Sequence, residues 1–294
     1  MATAPIRHGI VVGIDGSDGS FSAAHWAASA ARIFREPLHL VNVLPDAPSA
    51  TGGRSKEEFA KLLQADSERL LERARQAALD GRTDVTVECS SRPGPPAKTL
   101  VELSKTARLL VVGRTTTGEL RSMFAGSDVV RVANHARCPV VAWRGEGDHE
   151  EVDTRPVVVG VDGSALSNAA IEHAFEFASF LGVPLIAVHA WTEQSTLRGY
   201  DESARFVDWS TYAEQKVADL AESLAGWRER YPDVELRTEL ERRGAMVALI
   251  ERSIDAQLVA VGSHGRSTIA SALLGSTGQG LLHHSRCPVL ICRE

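Results

Sequence analysis

Residues 11–17 read VVGIDGS, and residues 158–164 read VVGVDGS, 147 positions further along the chain. Later stretches recur in the same order, ARLLVVGR (107–114) as AQLVAVGS (256–263) and HARCPVV (135–141) as HSRCPVL (284–290), each 149 positions apart. Two copies of one domain, which differ by two residues of loop, account for both distances. The sequence therefore predicts domains at 1–144 and 156–294. The acidic segment Gly145–Arg155 between them has the composition of a linker.

Within each copy, strand patterns alternate with helical patterns. HGIVVGI (8–14) is a nearly continuous apolar run, which is typical of a strand buried on both faces, whereas Lys56–Leu79 has apolar residues at helical spacing. Strict alternation predicts an α/β fold, with a doubly wound parallel sheet of five strands in each domain. Such sheets bind ligands beyond the carboxyl ends of their strands. The predicted strands are 8–14, 37–43, 85–89, 109–113 and 139–143, then 157–161, 185–190, 234–240, 258–262 and 288–292.

Composition excludes several classes of protein. The chain has 294 residues, is 44% hydrophobic and carries a net charge of −6, which gives no bulk attraction for nucleic acid. No apolar run approaches the ~18–20 residues that cross a bilayer, and the first ten residues lack the apolar core of a signal peptide. These features predict a cytoplasmic protein with neither membrane nor nucleic-acid partners. The four cysteines form no CxxC pair, so the sequence predicts no metal site.

A glycine-rich motif follows the fourth strand of the second copy. It consists of Gly262–Gly265 (GSHG), nine residues, and then Gly275 and Ser276. Glycines adopt positive φ readily and let backbone N–H groups approach an anion closely. Ser276 is a suitable N-cap for the helix that follows, and Arg266 adds a positive charge. The motif is neither a P-loop nor a dinucleotide fingerprint. It predicts a phosphate site, and the alternative is a loop that only turns the chain.

The spacing of this motif resembles the G-x2-G-x9-G-[ST] nucleotide motif of the universal stress protein family. VGVDGS at the first strand and CPVL at the last strand resemble that family too, so the chain is similar to a tandem, two-domain universal stress protein (UspA-like) of the kind common in actinobacteria. The resemblance implies a Rossmann-like fold, akin to the adenine nucleotide alpha hydrolases, with strand order 3-2-1-4-5. It also implies ATP as the ligand and a role in the stress response.

The same resemblance implies which residues of the second copy hold the nucleotide. Asp162 corresponds to the acid near adenine and ribose, although an N-cap or Asx turn is the alternative for this side chain. Val188 or its neighbour His189 corresponds to the position under the adenine. His264 lies inside the motif and is either a proton donor or a residue that caps the loop or faces solvent. The implied set is Gly160, Asp162, Val188, Gly262, Ser263, His264, Gly265, Arg266, Ser267, Thr268, Gly275, Ser276 and Thr277.

The first copy departs from the motif at two positions. Thr116 replaces the second glycine, and Asp128 stands where the second copy has Thr277. We therefore expect a weaker or altered site in the first domain. Its corresponding residues are Gly13, Asp15, Val41, Gly113, Arg114, Thr115, Thr116, Gly126 and Ser127.

Three functions remain open at this level. The favoured one is a nucleotide-binding regulator with no assigned catalytic residue; the others are a slow ATPase and a nucleotide-free dimerisation scaffold. Whether Mg²⁺ accompanies ATP is left open, because the loops offer only Asp15, Asp128 and Asp162 as metal-binding carboxylates. The short apolar last strands predict pairing of the two domains within one chain. The resemblance further implies a homodimer.

Overall fold

A computed structural model describes residues 8–45, 55–80, 84–113, 126–144, 153–192, 207–265 and 274–293 of the chain. The chain divides into two units, Met1–Gly147 and Asp148–Glu294, which we call the first and second domains.

The first domain alternates strands and helices along its described residues, as the sequence predicts. Its strands are all parallel and lie side by side in the order β3-β2-β1-β4-β5. The elements are β1 (Ile10–Gly13), α1 (Asp18–Phe34), β2 (Leu38–Leu44), α2 (Lys56–Leu79), β3 (Val87–Pro93), α3 (Pro96–Leu103), β4 (Leu109–Gly113), α4 (Gly126–His135) and β5 (Val140–Trp143).

The second domain repeats this arrangement. Its parallel strands follow the order β8-β7-β6-β9-β10, so the doubly wound α/β fold and the strand order 3-2-1-4-5 are confirmed in both domains. The elements are β6 (Val157–Gly160), α5 (Ala165–Leu181), β7 (Leu185–Ala190), α6 (Trp209–Arg230), β8 (Leu236–Glu241), α7 (Ala245–Arg252), β9 (Leu258–Gly262), α8 (Ser276–His284) and β10 (Val289–Cys292).

Burial explains why the central strands were easy to predict and the edge strands were not. Every residue of β1 and β4 is buried, as expected for strands covered by helices on both faces. The edge strand β3 exposes much of its length and spans Val87–Pro93 rather than the predicted 85–89. Its proline lies at the end of the strand, a position that an edge strand tolerates.

The helices form two layers in each domain. In the second domain α5 packs with α6, while α7 packs with α8 and also contacts β6 and β7. Since β6 and β9 are neighbours in the middle of the sheet, the chain leaves their carboxyl ends toward opposite layers and a crevice forms between them. Within the described ranges, no helix has the length and apolar character needed to span a membrane.

Candidate functional site

A pocket lies beyond the carboxyl ends of β6 and β9 in the second domain, with a cavity volume of about 90 Å³. Its lining comprises six apolar residues, which we call the apolar wall, five polar residues, which we call the polar wall, and three glycines. The apolar wall comprises Val161, Val188, Ala190, Ala245, Leu249 and Val261; the polar wall comprises Asp162, Ser164, Ser167, His264 and Thr277; the glycines are Gly160, Gly262 and Gly265.

Asp162 lies in a tight turn directly after β6. Its Oδ1 accepts a hydrogen bond of 3.0 Å from the backbone N–H of Ser164, which is an Asx turn, and Gly163 between them has a φ of +77°. The hydroxyl of Ser164 in turn caps α5 by accepting from the N–H of Ser167 at 3.1 Å. The Asx-turn alternative for Asp162 is therefore correct, and the same carboxylate also lines the pocket.

The first glycine of the motif is required for helix packing. A Cβ placed on Gly262 would lie 2.9 Å from the Cβ of Leu166 and 3.0 Å from its carbonyl carbon, both in α5. The first domain repeats this contact, because a Cβ on Gly113 would lie 2.7 Å from the carbonyl carbon of Gly19 in α1. At both positions only glycine lets the helix approach the end of the strand this closely.

The second and third glycines allow close approach for a different reason. A Cβ on Gly265 would collide with Oδ2 of Asp162, so the loop after β9 passes directly against that carboxylate. A Cβ on Gly275 would lie 3.3 Å from the Cα of His264. The expectation of positive φ in the motif is wrong for Gly262, Gly265 and Gly275, because these glycines provide space rather than left-handed backbone.

Helix α8 begins at the pocket without a side-chain cap. The predicted N-cap, Ser276, is wrong by one residue: Gly275 is the N-cap, with φ −64° and ψ 161°, and it has no side chain to offer. Its own N–H donates to the carbonyl of Ser263 at 2.7 Å, and its carbonyl accepts from Gln279 at 3.0 Å. The N–H groups of the first turn, including that of Thr277, are therefore available to an anion.

Ser263 and His264 connect β9 to this helix. The backbone N–H of Ser263 donates to the carbonyl of Cys292 at 2.9 Å, which fixes the residue against the end of β10. Its buried hydroxyl lies 3.1 Å from Nδ1 of His264. His264 is half-buried and is among the residues that line the pocket.

At the end of β7, the structure separates Val188 from His189. Val188 lines the pocket, and its carbonyl accepts from the N–H of Val161 at 2.9 Å. His189 instead places Nδ1 2.7 Å from the carbonyl oxygen of Val161, and the pocket does not include it. Asn42 makes the corresponding bond in the first domain, donating to the carbonyl of Ile14 at 2.7 Å. Both polar residues therefore stabilise the turn after the first strand of their domain.

The first domain retains the turn after its first strand and differs at the start of its last helix. Oδ1 of Asp15 accepts from the N–H of Ser17 at 3.0 Å and from its hydroxyl at 2.6 Å. The N–H of Ile14 donates to the carbonyl of Val41 at 2.8 Å. Asp128 lies in the first turn of α4, where its Oδ1 is 3.8 Å from Nη1 of Arg131. This helix therefore begins with a carboxylate where the second domain has a threonine.

The pocket contains many of the residues predicted from the sequence. Seven of them line it in the second domain: Gly160, Asp162, Val188, Gly262, His264, Gly265 and Thr277. Some predicted residues lie outside the described part of the chain, namely Arg114, Thr115, Thr116, Arg266, Ser267 and Thr268, as does the side chain of Ser127. Sequence reasoning did not assign the other lining residues to the site, namely Val161, Ser164, Ser167, Ala190, Ala245, Leu249 and Val261. Ala190, Ala245 and Val261 lie at or near the end of an element, which is the signal that could have found them, whereas Leu249 lies inside α7.

Comparison with known proteins identifies the family. The sequence profile described as the universal stress protein family matches residues 7–144 and again residues 154–293. The chain belongs to the universal stress protein family. A universal stress protein of Mycolicibacterium smegmatis is 34% identical to it over 299 residues, which cover 100% of this chain and 99% of that protein. One of Mycobacterium tuberculosis is 36% identical over 297 residues, which cover 98% of each.

A solved structure shares the fold of this universal stress protein over both domains. The crystal structure of a universal stress protein from Archaeoglobus fulgidus superposes with a TM-score of 0.69 at 17% sequence identity, and the match covers 97% of this chain and 98% of that one. The tandem organisation predicted from the internal repeat is thereby confirmed.

Proposed function

We propose that this universal stress protein binds ATP in the pocket of its second domain and acts as a stress-response regulator through nucleotide binding. The observation that carries the proposal is the joining, in one pocket, of an apolar wall to a helix that begins without a side-chain cap. A nucleotide has the same division, with a planar apolar base at one end and phosphates at the other.

Each part of the pocket matches one part of the ligand. The apolar wall, which includes Val188, Ala190 and Leu249, suits the adenine ring. A carboxylate such as that of Asp162 is a good acceptor for ribose hydroxyl groups. The first turn of α8 offers backbone N–H groups and the positive end of a helix dipole to the phosphates.

The residues in the pocket favour binding over phosphoryl transfer. Phosphoryl transfer is usually catalysed with metal ions held by carboxylates and a group that orients the nucleophile. Asp162 is the one carboxylate among the residues found to line the pocket, and its Oδ1 already accepts a hydrogen bond from Ser164. Any Mg²⁺ would therefore be held mainly by the phosphates of ATP. We assign no catalytic residue.

A calorimetric titration of the full chain with ATP tests the proposal. The informative variant is Gly265→Val, because its side chain would displace Asp162, the carboxylate proposed to accept hydrogen bonds from the ribose. The matched control is Gly226→Val in α6, where a Cβ meets nothing within 4 Å. Repeating the titration with EDTA and measuring phosphate release over hours distinguishes binding from slow hydrolysis.

We expect ATP binding by the wild-type chain and by Gly226→Val, and a loss of at least about 100-fold in affinity, or ~2.7 kcal/mol, at the second-domain site of Gly265→Val. Far-ultraviolet circular dichroism of each variant shows whether the fold is retained. Equal affinity in all three chains would mean that the loop has no part in binding. A wild-type chain that binds no adenine nucleotide would favour the scaffold function instead.

A further inference from the structure

The pair formed by Ser263 and His264 is held rigidly at the edge of the pocket. Ser263 is 1% exposed, and its backbone is tied on both sides, to Cys292 through its N–H and to Gly275 through its carbonyl. His264 follows directly and is among the residues that line the pocket. The backbone that leads into His264 is thus fixed by β10 and by the start of α8.

The hydrogen bond between the two side chains determines which imidazole nitrogen carries the proton. A buried hydroxyl that fails to donate a hydrogen bond is costly, and within the described part of the chain the acceptor available to Ser263 Oγ is Nδ1 of His264, at 3.1 Å. With Nδ1 accepting, the proton of the neutral imidazole must reside on Nε2. The pair therefore presents an N–H donor on the edge of the ring that Ser263 does not occupy.

The side chain of His264 begins beside the start of α8. The Cα of His264 is 3.3 Å, and its Cβ 3.7 Å, from the position that a Cβ on Gly275, the N-cap of the helix, would take. An anion bound at the first turn would thus have a side-chain donor next to the backbone N–H groups. Charge-assisted hydrogen bonds of this kind are stronger than those between neutral groups.

We infer that the Ser263–His264 pair determines ligand selectivity in the second domain: Ser263 fixes His264 as a donor from Nε2, and this donor favours phosphate-bearing adenine ligands over adenosine. This inference rests on the proposed function. The pair is confined to the second copy, because the first copy has Arg114 and Thr115 at the aligned positions. Any ligand that binds in the first domain therefore contributes equally to every variant of the pair.

The selectivity is tested by titrating the full chain with ATP and, separately, with adenosine. We expect His264→Ala to lower the affinity for ATP by about 10- to 100-fold, the value of one hydrogen bond to a charged group, and to leave the affinity for adenosine unchanged. His264→Gln should recover much of the lost affinity, because its amide N–H can replace the Nε2 donor. The matched control is His284→Ala, an exposed histidine at the far end of α8.

The role of Ser263 is tested by a double-mutant cycle and by NMR. Ser263→Ala should weaken ATP binding in the wild-type background and have no further effect when His264 is alanine, because the serine acts through the histidine. Long-range ¹H–¹⁵N spectra of the ligand-free chain at neutral pH should show the Nε2–H tautomer for His264. The His264→Ala spectrum identifies the signal among the ten histidines.

Different failures have different meanings. An Nδ1–H tautomer, or an ATP-to-adenosine affinity ratio that is the same in wild type and His264→Ala, overturns the inference while ATP binding itself stands. A wild-type chain that binds neither ligand overturns the proposed function and the selectivity together.

Discussion

Alanine at the first motif glycine should destabilise each domain through its helix contact. In Gly262→Ala the new Cβ would lie 2.9 Å from the Cβ of Leu166 and 3.0 Å from its carbonyl carbon, whereas carbon atoms pack best at about 3.5–4.0 Å. Because both atoms belong to or adjoin the backbone of α5, the helix must retreat by roughly 0.5–1 Å, and overpacking of this kind costs ~1–3 kcal/mol. Gly113→Ala should reach the upper end of that range, since its Cβ would lie 2.7 Å from the backbone of Gly19.

The assay is urea denaturation followed by tryptophan fluorescence, with Gly226→Ala as the matched control. That glycine lies inside α6 with nothing within 4 Å of an added Cβ, so alanine there should stabilise the chain by ~0.5–1 kcal/mol through helix propensity. The predicted changes in the free energy of unfolding therefore have opposite signs. Neutral or stabilising results for Gly113→Ala and Gly262→Ala would refute the packing role of these glycines.

Three other predictions concern the two sites, the cysteines and the association of the domains. The second domain should bind ATP more tightly than the first, because a Cβ at the position of Gly265 would collide with the carboxylate of Asp162, and Thr116 brings a Cβ to the aligned position of the first copy. Overpacking of this kind costs ~1–3 kcal/mol, which corresponds to about 5- to 150-fold in affinity. Calorimetry on the Gly265→Val chain reports the residual first-domain site, which Thr116→Gly should strengthen; no change on that substitution would assign the difference to Asp128. Burial raises the pKa of the Cys287 thiol to about 11, so this thiol stays protonated at pH 8. Treatment with iodoacetamide followed by mass spectrometry should therefore show labelling of the exposed Cys89, and labelling of Cys287 only near pH 11 or on unfolding. Rapid labelling of Cys287 in the native chain at pH 8 would contradict this prediction. The pairing of the last strands within one chain and the homodimer stay predictions from the sequence. Slow hydrogen exchange along both strands would support the pairing, and a dimer mass in sedimentation would support the homodimer.

The repeat and the buried strands could be predicted because their signals are local. Runs such as residues 109–113 and 258–262 are apolar throughout, and the observed strands have these bounds. The observed bounds of the edge strand β3 differ from the predicted ones, because a partly exposed strand lacks a continuous apolar run. Local patterning therefore predicted the centre of each sheet better than its edges.

The candidate site was predicted less completely because its geometry depends on contacts distant in sequence. Gly262 is a glycine because Leu166, nearly one hundred residues earlier, lies against it. The apolar wall includes Ala190 and Ala245, small residues that no motif distinguishes. The N-cap is Gly275 rather than the predicted Ser276, because the carbonyl of Ser263 accepts a hydrogen bond from the N–H of that glycine and holds it at the start of the helix. Spacing indicated the right loop, and tertiary packing determined the role of each residue in it.

The most direct test of ATP binding in the second domain is a crystal structure of the full chain grown with ATP. The account predicts adenine against Val188 and Ala190, ribose near Asp162, and phosphates at the first turn of α8 beside His264. A structure at saturating ATP in which this pocket holds no nucleotide, or in which the phosphates lie away from α8, would contradict it.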